Sequence, residues 1–100
     1  MTLQQLEYFV SAAHNLNFSK TAEMFFVSQS AITQQIRSLE KELKLDLFVR
    51  KNNRISLTDS GQVFMREAEQ ILAKVSDSIE RVFAVSATGG AHLCSIQYYL

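Results

Sequence analysis

Hydrophobic residues recur along this chain with the three-to-four-residue period of helices, interrupted by two short extended runs. Leu3, Leu6, Phe9, Val10, Ala13 and Leu16 mark a first helix with one core face. Thr2 and Gln5 have the spacing of a capping box, so the helix opens at Thr2. Asn15 and Asn17 are expected to end it, because asparagine tolerates turn geometry. Ser19 reads as the cap of a short segment reaching Phe26, with Ala22 and Phe25 facing inward. Val27-Ser28-Gln29 makes a turn. Ser28 caps a third helix, in which Ile32, Ile36, Leu39 and Leu43 share one side. The other side carries Ser30, Thr33, Gln34, Arg37 and Lys41, with Gln29 on the border and no acid before Glu40. A short helix, a tight turn and a longer helix with such a face make a helix-turn-helix.

Lys44-Leu45-Asp46 breaks the periodicity. Phe48-Val49-Arg50 and Ile55-Ser56-Leu57 are strand-like, and Asn52-Asn53 between them is good chemistry for a hairpin turn. The tip of this hairpin, Lys51-Asn52-Asn53-Arg54, is basic, and with Arg50 of the preceding run it carries three cations and no acid. A hairpin beside a polar-faced helix is a wing. Thr58 then caps a last helix that runs to about residue 87, with Asp59 favourably placed in its first turn. Phe64, Ala68, Ile71, Val75, Ile79 and Val82 form its stripe, widened by Leu72 and Phe83. A domain of this size is not expected to cover that stripe, so a partner helix is the natural cover. The fold class is therefore mainly α: a winged helix-turn-helix of three helices and a two-stranded wing, followed by a long dimerisation helix.

Composition narrows the chemistry. Ten basic and ten acidic residues cancel, so overall charge does not announce nucleic acid, whereas the basic hairpin does. Hydroxyls, amides and a guanidinium on one helix face are the groups that read base edges and grip phosphates. One cysteine, Cys94, excludes an intramolecular disulfide and suits a reducing, cytoplasmic setting. His14, His92 and Cys94 have no companions that would make a metal site. No apolar run approaches the length of a membrane span. No phosphate-binding glycine loop or catalytic group of histidine, carboxylate and nucleophile is visible, which argues against an enzyme and calls for no cofactor.

The residues also carry a resemblance. Leu6-Glu-Tyr-Phe-Val10, Phe18-Ser19 with Ala22, Val27-Ser-Gln-Ser-Ala-Ile-Thr33 and Ile36-Arg-Ser-Leu-Glu40 follow one another in order. Leu43, Leu47-Phe48-Val49-Arg50 and Leu57-Thr-Asp-Ser-Gly61 continue the series. Together they resemble the N-terminal DNA-binding domain of LysR-type transcriptional regulators. The resemblance implies sequence-specific binding of double-stranded DNA by a homodimer, on a near-palindromic operator. It implies tetramers for full-length members. It puts Gln29, Ser30, Thr33, Gln34 and Arg37 at recognition-helix positions. Arg50 and Arg54 belong to the wing, and Ser19 and Ser28 support phosphate contacts. Phe64, Ala68, Ile71, Leu72, Val75, Ile79 and Val82 would pair the linker helices. The chain departs from the family at Thr21, usually Ala, and at Lys44, usually Gly. Gln97 stands where the family's effector domain usually has glycine.

The layout expected is a DNA-binding domain over 1–58, a linker helix over 59–87, and a hinge and the start of an effector domain over 88–100. The chain reads as a truncated piece, with no small-molecule effector site of its own. A rival reading is a winged helix that dimerises but no longer binds DNA. Arg37, Arg50, Lys51 and Arg54 weigh against it.

Overall fold

The computed structural model describes residues 1–86. The end of the last helix at 87, the hinge and start of a further domain at 88–100, His92 and Cys94 lie outside the described residues. The elements are α1 (Leu3–Asn15), α2 (Phe18–Phe25), α3 (Gln29–Leu43), β1 (Phe48–Lys51), β2 (Arg54–Leu57) and α4 (Asp59–Ser86).

The capping box forms as its spacing requires. Gln5 N–H donates to Thr2 Oγ1 and Thr2 N–H donates to Gln5 Oε1, both at 3.0 Å. The first junction differs from expectation. Leu16, not an asparagine, takes the left-handed conformation that ends α1 (φ 49°). Asn17 opens the next helix: its Oδ1 accepts from Lys20 N–H at 3.0 Å. Ser19, expected to be that cap, lies inside the first turn of α2. The reason is packing. Starting α2 at Phe18 puts Phe18, Thr21 and Ala22 on one face, and all three are buried. Thr21 stands in the core without strain on its hydroxyl, which donates to the Asn17 carbonyl at 3.1 Å. Ser28 caps α3 as expected, accepting from Ala31 N–H at 3.1 Å. Lys44 ends α3 in the left-handed region (φ 58°), doing there what glycine does at many helix ends.

Phe9 is the hub of the core. Fully buried, it meets Phe48 of β1 and Phe64 of α4 with ring centroids 5.5 and 5.1 Å apart. Ile32, Ile36 and Leu39 bring α3 onto the same core. The wing is an antiparallel pair with Lys51 opposite Arg54, closed by Asn52 and Asn53, which both have positive φ (54° and 60°). That is the geometry a two-residue hairpin loop demands.

Leu47 joins three elements. Its N–H donates to Glu40 Oε2 of α3 at 2.7 Å, and its carbonyl accepts from Thr58 N–H, just before α4, at 3.0 Å. Gly61 packs against that same carbonyl. A Cβ there would collide with the Leu47 oxygen and touch Leu57, so only glycine fits.

α4 has 28 residues, about 42 Å at 1.5 Å per residue. α1 runs along it in the opposite direction, with His14 Nε2 3.1 Å from Glu69 Oε2 and Leu3 beside Val75 and Ile79. This corrects part of the sequence reading. Ala68 has no exposed surface, and Phe64 and Leu72 pack on the chain's own core. Ala68 therefore stabilises the domain and has no surface left for another helix, whereas Phe64 and Leu72 are half-buried against the core. Further along, the stripe emerges: Ile71 is 39% and Val82 66% exposed. Val75, Ile79, Val82 and Phe83 line an apolar groove with Leu3.

Candidate nucleic-acid interface

The N-terminal turns of α3 carry the polar side chains because its apolar side is committed to the core. Ile32, Ile36 and Leu39 are buried, so Gln29, Ser30, Gln34 and Arg37 project outward and are exposed, with Thr33 half-buried between them. Ser28 closes the turn before them, its hydroxyl 3.2 Å from that of Ser30. Ser19, from α2, donates its hydroxyl to Gln29 Oε1 at 2.8 Å. That bond ties the first side chain of α3 to the start of α2.

The wing supplies the other wall. One cleft is lined by Asn17, Ser19, Gln29, Arg50, Asn53 and Arg54. A second, lined by Thr33, Arg37, Glu40, Phe48 and Arg50, adjoins it through Arg50. The fold thus gathers Ser19, Gln29, Thr33, Arg37, Arg50 and Arg54 around two connected clefts. Ser28, Ser30 and Gln34 sit on the same helix face or its turn but outside them. Arg50 is not a tip residue. It pairs with Ile55 within the hairpin, and its guanidinium lies 5.2 Å from the centroid of the Phe18 ring. Phe18 is in turn braced edge-on by Phe48 at 5.3 Å. Such stacking holds a guanidinium over an aromatic face while leaving its N–H groups free for an anion.

Among the described residues, the two ion pairs are Met1–Glu42 and His14–Glu69. Neither involves Arg37, Arg50, Lys51 or Arg54. The acid that shares a cleft with these cations, Glu40, has one oxygen occupied by two backbone donors, Leu47 N–H at 2.7 Å and Phe48 N–H at 3.2 Å. The face therefore offers hydroxyls, amides and three guanidinium groups to an external anion. The sequence pattern does not single out Asn17, Asn53 or Glu40 for these clefts. The asparagines read as turn residues in sequence, and only the fold brings both to the cleft. Among the described residues no helix is long and apolar enough to cross a membrane.

Comparison with known proteins agrees with this geometry. Residues 3–62 match the family model described as "Bacterial regulatory helix-turn-helix protein, lysR family". The glycine cleavage system transcriptional activator of Escherichia coli (strain K12) is 38% identical over 87 residues, which is 87% of this chain and 28% of that protein. The chain spans between a quarter and a third of the length of the curated relatives it matches. Two crystallised DNA complexes are similar in structure. The BenM_DBD/catB site 1 DNA complex has a TM-score of 0.85 at 27% identity, covering 93% of this chain and 100% of that one. The CbnR_DBD–DNA complex has 0.82 at 35% identity, covering 86% of this chain and 99% of that one.

Proposed function

Because the chain belongs to the lysR family of bacterial regulatory helix-turn-helix proteins, we propose that it reads a specific double-stranded DNA site as a homodimer and so directs transcription by a longer regulator. The observation that carries this is the exposed N-terminal face of α3 beside a cleft whose arginines are in no ion pair. In a helix-turn-helix the second helix enters the major groove with its N-terminal residues at base edges. Gln29 and Gln34 are suited to adenine, since an amide can donate to and accept from its edge. Thr33 suits a hydrogen bond or a thymine methyl. Ser19, Ser28, Arg37 and Arg50 take phosphates, which set the register. Arg54 reaches the backbone or the adjacent minor groove. The solved neighbours, both crystallised with DNA, support DNA binding by a domain of this fold.

Two copies are joined through Ile71, Val75, Ile79 and Val82, the part of the α4 stripe left open to a second helix. Two-fold symmetry in the protein requires a roughly palindromic site. In a bacterium the domain would work in the cytoplasm, where the chromosome is. Selection of bound fragments from random duplex DNA tests the proposal. It should recover two inverted half-sites with centres about 10 base pairs, or a multiple, apart. Recovered fragments that share no sequence would refute it. A protein that binds no duplex even at low salt would leave the rival, a dimer without DNA.

The wing has its own test. Arg54→Ala should weaken binding and lower the slope of log affinity against log salt by about one for each phosphate it no longer neutralises. A slope equal to the parent's would exclude Arg54 from the backbone.

A further inference from the structure

We infer that Glu40 is a positioning residue for DNA binding: its carboxylate holds the wing against α3 so that Arg50 and Arg54 meet the same duplex that Gln29 reads. This rests on the DNA-binding reading above. An acid beside a DNA-binding face is an electrostatic cost, because it repels phosphate. Glu40 lines the cleft with Arg37 and Arg50, yet it is paired with neither. Its Oε2 instead accepts from Leu47 N–H and Phe48 N–H, at 2.7 and 3.2 Å.

Those two donors sit where the chain leaves the α3–β1 loop and enters the wing. Leu47 is fully buried, so its N–H needs a partner within the protein. Phe48 is the first residue of the hairpin, paired with Leu57. A single carboxylate oxygen therefore ties the recognition helix to the base of β1. The exiting strand is closed at the same base, where Thr58, just before α4, donates its N–H to Leu47 O and its hydroxyl to Asp46 O at 2.6 Å. Among the described residues, and apart from packing and the short loop itself, the Glu40 carboxylate supplies the hydrogen bonds that join the wing base to α3. Without it the wing would follow α4 rather than the helix that lies in the groove.

The test compares Glu40→Ala, Glu40→Gln, Arg54→Ala and the double variant Glu40→Ala/Arg54→Ala on a duplex selected by the parent. Glutamine keeps an acceptor oxygen and drops the charge; alanine drops both. If Glu40 positions the wing, alanine weakens specific binding by about tenfold and lowers the salt slope by about one, as removing a wing arginine from a phosphate would. Glutamine binds as tightly as the parent or more tightly. Adding Arg54→Ala to Glu40→Ala then costs little more, because residues acting through one interaction are non-additive. If Glu40 is only an acid near phosphate, Glu40→Ala and Glu40→Gln both tighten binding. If its role is only to stabilise the fold, Glu40→Ala and Arg54→Ala losses add and follow the folded fraction. Either of the last two results overturns the inference.

A readout without DNA separates this from the function itself. With Cys94→Ser as background, spin labels at Ser38→Cys of α3 and Lys51→Cys of the wing report their separation. Glu40→Ala should broaden that distribution and Glu40→Gln should not. An unchanged distribution in Glu40→Ala overturns the inference even where DNA binding holds.

Discussion

Val82→Asp is expected to convert a tight-binding dimer into a monomer that still folds. Val82 is 66% exposed, so within its own chain the substitution removes almost no packing. In the proposed dimer the same position is covered by a second helix. Burying an aliphatic side chain contributes about 1.5–3 kcal/mol, and Ile71, Val75, Ile79 and Val82 can each contribute in both chains. Those gains must exceed the entropy lost on association. A carboxylate buried between the paired helices carries a desolvation cost. Joining two recognition helices makes the second half-site encounter intramolecular, which can raise affinity by about 10²–10⁴. Val82→Asp should therefore lose tight binding to the full site by a comparable factor and keep half-site affinity unchanged. Sedimentation and titration of one and two half-sites check both parts. A variant that stays dimeric, or a monomer that binds the full site like the parent, would remove α4 from the pairing.

Phe9→Ala is expected to take the domain close to unfolding. Phe9 has no exposed surface and touches the Phe48 and Phe64 rings, linking α1 to the wing and to α4. Truncating such a ring costs about 3–5 kcal/mol, through lost transfer energy and the cavity left behind. Domains of this kind are stable by roughly 5–15 kcal/mol, so much of the reserve goes. Urea unfolding should show the loss with the wing and α3 melting together. A change under about 1 kcal/mol would mean that the aromatic cluster is not what holds these elements to one core.

Much of the fold is legible in the sequence because its signals are local. Thr2 with Gln5, Ser28 before α3 and Asn52-Asn53 in the hairpin each meet a geometric need within a few residues, and each does what its type predicts. The failures are cases where tertiary packing overrides local preference. Asn17 rather than Ser19 caps α2, because Phe18 has to enter the core as part of the helix. Leu16 takes the left-handed position although asparagines stand on both sides of it. Ala68 sits in a stripe that periodicity reads as continuous. Nothing in the spacing tells where α1 covers that stripe and where the cover ends. The candidate interface divides in the same way. The polar face of α3 is legible from period alone. Stacking of Arg50 on Phe18 and the reach of Glu40 to Leu47 are not, because they join residues 32 and 7 positions apart through the fold.

The central claim is that the first turns of α3 read bases. Gln29 tests it most directly, since it is exposed, lies in the cleft with Arg50 and Arg54, and is held by Ser19. The measurement is the affinity of Gln29→Ala for a selected duplex and for an unrelated duplex of equal length, at one salt concentration. Removing a base-reading side chain should cost about 1–3 kcal/mol on the selected site and almost nothing on the unrelated one. If the two affinities fall together, or neither changes, Gln29 does not read a base and the account of this helix is wrong.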